Sequence, residues 1–220
     1  MRRQDVLPAL EAVGAIYVDR HFVYTSGRHG SAYINMDPLL PEAALMLDIC
    51  RLLNEPFDGG FETVAAPAVG GVVLAEMTAL AMSVNEARPQ AVWADKTQGG
   101  FSFDRSGFSD RLRGRRVLLV EDLLTTGGSL RKVRDAVVLL DGDPIGASVI
   151  CNRGAVTASD LGVPRLHSII DVTFESYEAG ACPLCLERAP IVLGIGHGSD
   201  FRHHNPDYPG GFVDLAPPRN

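Results

Sequence analysis

The sequence predicts an α/β fold in which a mostly parallel sheet carries helices on both faces. Three observations lead there. Short apolar runs alternate with helical patterns between residues 64 and 172, the mark of βαβ units whose strands are buried on both sides. Glycine pairs stand where apolar runs hand over to helices, at 70–71 and 127–128, as tight strand-to-helix turns require. The chain of 220 residues is 46% hydrophobic and 21% charged, which suits one globular core and excludes a disordered chain.

Taken in order, residues 5–14 carry the spacing of a short helix. Alternation in 17–24 and 31–36 reads as short strands around the Ser26-Gly27-Arg28 turn. These make a small N-terminal subregion. Residues 41–53 show helical apolar spacing behind Pro41, a residue suited to the first helical turn. From there the pattern becomes strand, glycine turn, helix. VAAPA (64–68) leads through Gly70-Gly71 into the helix VVLAEMTALAM, and QAVWA (90–94) is the next strand. VLLVED (117–122) precedes TTGGS and the helix LRKVRDAVVLL; IGASVIC (145–151) and RLHSIIDV (165–172) complete the sheet. Beyond 175 the texture changes to an irregular C-terminal extension of turns, and its proline-rich tail, 201–220, is expected to be partly disordered.

Composition bounds the function. Twenty basic against 27 acidic residues give a net charge of −7, so no global attraction to a polyanion exists and nucleic acid is not an expected partner. No apolar run approaches the roughly 20 residues of a membrane helix. The first residues, MRRQDVLPALEAVGAIY, mix acids into what a signal peptide would keep apolar. A cytoplasmic protein with no membrane partner is expected. Four cysteines are too few for a disulfide scaffold.

The most informative stretch is VLLVEDLLTTGGSL, 117–130. A strand end feeding a helix N-terminus offers backbone N–H groups and a favourable dipole to a phosphate, and glycines let the backbone come close. It lacks the Lys of a Walker A loop and is not G-x-G-x-x-G. Glu121 and Asp122 at the end of a buried strand need partners, and vicinal hydroxyls or a hydrated Mg²⁺ are natural ones. A plain strand-to-helix turn is the competing reading.

These residues resemble the signature of the type I phosphoribosyltransferases, an apolar strand, two acids and a Thr-Gly-rich loop that bind 5-phosphoribosyl-1-pyrophosphate. The resemblance implies that Glu121 and Asp122 hold the ribose hydroxyls and that Thr125, Thr126, Gly127, Gly128 and Ser129 cradle the 5′-phosphate. HFVYTSGRHGSAYINMD (21–37) is similar to the hood of the orotate members, which implies base contacts from Ser26, Arg28, Tyr33 and Ile34, with Arg153 of Asn152-Arg153-Gly154 as a further one. APAVGG (66–71) resembles the pyrophosphate loop, Ala68, Val69, Gly70 and Gly71. Asp95 and Lys96 stand where orotate members carry the residues that neutralise departing pyrophosphate. The pattern is thinner here: no Arg-Lys pair, no following Lys or His, and Thr25 in place of a hood lysine.

The resemblance thus implies a domain over 1–175 with its hood in about 1–40, an extension over 176–220 packed on it, and a homodimer. It implies Mg²⁺-dependent transfer of ribose 5-phosphate to orotate in pyrimidine biosynthesis, with Mg²⁺ held by substrate and, through waters, Asp122. Phosphoribosyl pyrophosphate and orotate are the expected small-molecule partners. A purine or other base as acceptor, or a non-catalytic sensor of the sugar donor, are the alternatives. In the extension, Cys182-Pro183-Leu184-Cys185 with His197 and His203 has the ligand types of a structural zinc site. A small buried turn is the rival reading.

Overall fold

The computed structural model describes residues 1–57, 59–82 and 89–215. Along the chain come α1 (Val6–Ala12), β1 (Ile16–Tyr17), β2 (Phe22–Val23), β3 (His29–Gly30), β4 (Tyr33–Ile34), α2 (Ala43–Asn54), β5 (Thr63–Pro67) and α3 (Gly71–Met82). They are followed by β6 (Gln90–Lys96), β7 (Phe101–Ser102), β8 (Arg116–Leu124), α4 (Gly128–Leu139), β9 (Asp143–Asn152), α5 (Ala158–Leu161) and β10 (Leu166–Asp171). The last are β11 (Ser176–Tyr177), α6 (Pro183–Leu186), β12 (Ile191–Val192), α7 (Gly198–His204) and β13 (Phe212–Val213). The final stretch of the expected disordered tail, 216–220, lies outside the described residues.

Two compact units result: residues 1–6 with 40–173, and residues 7–39 with 174–220. In the first, six strands run in the order β10-β9-β8-β5-β6-β7. All neighbours are parallel except β6 and β7, which form an antiparallel edge. Every residue of β5 is buried, as a parallel strand covered on both faces demands. Alternate residues divide between the faces. Ala65, Val117, Leu119, Ala147 and Val149 share one cluster with Leu130, Val133 and Val137 of α4. Ser148, pointing the other way, donates its hydroxyl to the Leu53 carbonyl of α2 at 2.8 Å. The predicted α/β class with helices on both faces is therefore what the chain adopts.

Strand order also locates the functional end. β5 has β6 on one side and β8 on the other, so the chain runs outward from β5 to β6 and β7 and then crosses back to continue in the opposite direction at β8. At such a switch point the loops at the carboxyl ends diverge and open a crevice, the usual ligand position in open α/β sheets. The loops concerned are 68–70 after β5 and 125–127 after β8.

The second unit is made from both ends of the chain. Here β2 pairs with β3 and β3 with β11, β1 pairs with β4, and β12 pairs with β13. The strands expected over 17–24 and 31–36 shorten to two-residue pieces, because each pairs only briefly before a turn. The extension is less irregular than expected, since α6, α7 and three short strands order its described residues.

Candidate active site

β8 delivers Glu121 and Asp122 to its carboxyl end. Glu121 is only 9% exposed, and burial, reinforced by the adjacent Asp122 charge, pushes its carboxyl well above the ordinary range. Asp122 is half-buried and faces the loop after β5: a Cβ placed on Gly70 would lie 3.3 Å from its Oδ2. The absent side chain at 70 thus keeps space beside an oxygen donor.

The turn that follows is shaped for an anion. Gly127 adopts φ +69°, and a Cβ there would meet Leu161 at 2.7 Å and Val156 at 3.1 Å, so both conformation and packing require glycine. It ends β8's exit turn and opens α4, whose first-turn amides have no intrahelical acceptor. The Thr126 hydroxyl accepts from Gly128 N at 3.4 Å. Glu121, Thr125, Thr126, Gly127, Gly128 and Ser129 line a cavity of about 50 Å³. That exceeds one water's share of roughly 30 Å³ and is far below the 300 Å³ or more of an organic-ligand pocket. A compact group such as phosphate fits. A larger cavity of about 430 Å³, lined by Glu62, Arg111, Arg115 and Arg116 among others, lies at the opposite ends of the strands, away from these acids.

Neighbouring loops are pinned at the same end of the sheet. Ala68 N donates to the Ala94 carbonyl at 2.8 Å, tying the 68–71 loop to the end of β6. Val69 is almost fully exposed, leaving its backbone open to a ligand. Arg153 N donates to the Leu124 carbonyl at 2.9 Å, which sets Arg153 at the mouth of the β8 turn. Asn152 fixes the segment from within: its side chain donates to the Val156 carbonyl at 2.9 Å and accepts from Val156 N at 3.1 Å. A Cβ on Gly154 would stand 1.6 Å from the Thr125 carbonyl. Neither Asn152 nor Gly154 was expected to shape this turn, because their contacts depend on β8 and β9 lying side by side.

Asp95 and Lys96 end β6, opposite Ser102 and Phe101 of β7. Asp95 accepts two bonds from the Arg105 guanidinium, at 2.9 and 3.1 Å, and Arg105 also lies over the Trp93 ring. Lys96 is exposed. The span after it is a tight ribbon, closed by Thr97 N donating to the Gly100 carbonyl at 3.0 Å, rather than a long open loop.

The remaining predicted residues belong to the second unit. Ser26 caps the turn, its hydroxyl accepting from Arg28 N at 3.4 Å. The Arg28 guanidinium reaches Ser176 and pairs with Glu178, so it ties β3 to β11. Tyr33 and Ile34 are half-buried on β4, and the Tyr33 ring packs near Phe22 with centroids 5.7 Å apart.

The expected zinc set needs correction. Cys182 and Cys185 do come together, but with His21 and His29 in place of His197 and His203. His197 is held by Asp200 at 2.8 Å and by the Thr25 hydroxyl at 3.1 Å. His203 stands exposed on α7 against His204. Nearness in sequence misled: the true neighbours come from a hairpin at the other end of the chain. Two histidines flanking the Ser-Gly turn were the available signal.

A family model described as "Phosphoribosyl transferase domain" matches residues 43–177. An orotate phosphoribosyltransferase of Pelotomaculum thermopropionicum is 35% identical over 195 residues, covering 87% of this chain and 96% of its own. One from Desulforamulus reducens is 32% identical over 193 residues with the same coverage. The solved orotate phosphoribosyltransferase of Aeropyrum pernix superposes with a TM-score of 0.59 at 26% identity, over 76% of this chain and 93% of that one. The acids, the phosphate-sized turn and the switch-point loops thus stand in a chain that belongs to the type I phosphoribosyltransferases, among the orotate phosphoribosyltransferases.

Proposed function

We propose that this protein transfers ribose 5-phosphate from 5-phosphoribosyl-1-pyrophosphate to orotate, giving orotidine 5′-monophosphate and pyrophosphate. The observation that carries the reading is the buried Glu121 beside Asp122, opening on a cavity of about 50 Å³ at the N-terminus of α4. The orotate-named relatives supply the acceptor.

In this reading the amides and hydroxyls of Thr125 to Ser129 hold the 5′-phosphate. Glu121 and Asp122 accept hydrogen bonds from the ribose hydroxyls, which offset the cost of burying Glu121. The backbone of Ala68 to Gly71 receives the diphosphate, and Lys96 stabilises it as it leaves. Asp95 orients the ribbon through Arg105, and Arg153 meets the acceptor side of the turn. The oxygen donors of Asp122 and the space kept by Gly70 fit a hydrated Mg²⁺, bound through substrate and waters. When bound, that ion neutralises diphosphate charge. The anomeric carbon becomes cation-like as the diphosphate departs, so the protein's contribution is alignment and electrostatic stabilisation, with no covalent nucleophile. A homodimer is part of the same reading, by family likeness alone.

The test is pyrophosphate release from phosphoribosyl pyrophosphate and Mg²⁺ with orotate, uracil, adenine, guanine or hypoxanthine, using a Glu121→Ala, Asp122→Ala double variant as control. Turnover with orotate alone, abolished in the control, is expected. Turnover with another base reassigns the acceptor, and donor binding without turnover makes the protein a sensor.

A further inference from the structure

Within the second unit, four side chains that the transferase reaction does not use converge on one point. His21 Nε2, His29 Nδ1, Cys182 Sγ and Cys185 Sγ all lie within 4.8 Å of one another. The two nitrogens are 2.8 Å apart. Cys182 Sγ and Cys185 Sγ each lie 3.7 Å from His21 Nε2, and Cys185 Sγ lies 3.3 Å from His29 Nδ1. A tetrahedral ion with bonds of about 2.0–2.1 Å to nitrogen and 2.3 Å to sulfur sets its ligand atoms roughly 3.3–3.8 Å apart. These three sulfur–nitrogen separations fall in that range, the nitrogen pair opens by about half an ångström to join it, and the remaining two sulfur separations are within 4.8 Å.

Local structure explains the convergence. Val23 pairs directly with His29 across the β2–β3 hairpin, and His21, two residues before Val23, shares its face. The two imidazoles are therefore diagonal neighbours. Cys182 and Cys185 bracket the first turn of α6, which turns both sulfurs the same way.

Orientation is set from outside the cluster. His21 Nδ1 lies 3.0 Å from the Ala189 carbonyl. A carbonyl only accepts, so Nδ1 carries the proton and the Nε2 lone pair faces the other three groups. Without an ion, His29 Nδ1 must donate to that lone pair, and His29 Nε2 becomes a buried acceptor with no donor among the described residues. With an ion, both lone pairs are used and Nε2 carries the ring proton, while the imidazole as a whole packs at a steep angle to the Phe201 ring with centroids 5.0 Å apart. His21 is 1% exposed, and His29 and Cys182 are fully buried. Such burial suits a centre without net charge. Two thiolates and two neutral imidazoles around a divalent cation sum to zero.

We propose that His21, His29, Cys182 and Cys185 form a structural Zn²⁺ site that fastens the β2–β3 hairpin to the α6 turn. Two sulfurs and two imidazoles in tetrahedral array select zinc over magnesium or calcium, and four protein ligands close the centre to substrate. On binding, each thiol gives its proton to solvent while two Zn–S and two Zn–N bonds form, with no change of oxidation state. The unit has reason to use an ion: its strands are two residues long, and assemblies with so little regular pairing lean on staples.

The experiment uses the full untagged chain purified without added metal. Elemental analysis should find about one zinc per chain, and exchange with Co²⁺ should give the visible ligand-field bands and near-ultraviolet thiolate charge transfer of a tetrahedral centre. Cys185→Ser should lower bound zinc at least tenfold, whereas a His197→Ala, His203→Ala double variant should keep it. A wild-type protein that retains no zinc and gives no cobalt spectrum overturns the proposal, as does loss of zinc in the His197, His203 variant. If Cys185→Ser fails to fold, the wild-type cobalt spectrum still decides, because its charge-transfer band requires thiolate ligands.

Discussion

Glu121 holds a charge-bearing group where free energy favours a neutral one. Its carboxyl is raised above an ordinary 4.5 by burial and by Asp122. A carboxyl whose folded-state value is raised contributes its full share of stability only below the unfolded-state value. That share falls as pH rises from there to the folded value and stays lost above it. Glu121→Gln removes the titration, so the free variant should match the wild type near pH 4 and exceed it at pH 8 by about 1–3 kcal/mol, read as a pH-dependent difference in thermal midpoint. In the proposed reaction, where Glu121 aligns the ribose, the same change should cost about a hundredfold in turnover. An unchanged midpoint difference between pH 4 and 8 would refute the burial argument. At Gly154 the effect is steric: a methyl 1.6 Å from the Thr125 carbonyl must displace the phosphate turn. Gly154→Ala should weaken donor binding at least tenfold by calorimetry and destabilise the fold by about 1–3 kcal/mol.

Among elements, the proposed reaction gives the β6–β7 ribbon and the β8–α4 turn different tasks. Lys96→Ala should lower turnover by about 10²–10³-fold while donor binding holds, since a charge that stabilises the leaving group acts mainly late. Single-turnover kinetics beside equilibrium binding separate the two. Unchanged turnover would remove Lys96 from the reaction. These elements also differ in how far the sequence revealed them. Strand, paired acids, glycine turn and helix occupy the contiguous run 117–130, so local chemistry alone exposed the turn. The ribbon was hidden, because Phe101–Ser102 is too short to show a period and its pairing with β6 is fixed by the turn between them. Arg28 was legible as a polar residue at a turn but not as the tie to Ser176 and Glu178, since β11 reaches β3 from the far end of the chain.

For the whole molecule, the sheet unit draws its stability from a continuous apolar core, whereas the second unit gathers short pieces around the four converging ligands. Removing metal with a strong chelator should therefore raise amide exchange in 7–39 and 174–215 and leave the sheet strands protected, as peptide-level exchange would record. Equal protection with and without chelator would contradict that division. The histidine pair could not be matched to its cysteines from sequence, because no local pattern links positions 161 residues apart. That separation also has a consequence in time. A ribosome adding about 5–20 residues per second finishes the hairpin roughly 8–30 seconds before the C-x-x-C turn exists. During that interval His21 and His29 are made but lack both sulfurs, so the second unit closes only after residues 182–185 have been added. A nascent chain stopped before Cys182 carries the sheet's sequence in full and half of a metal centre.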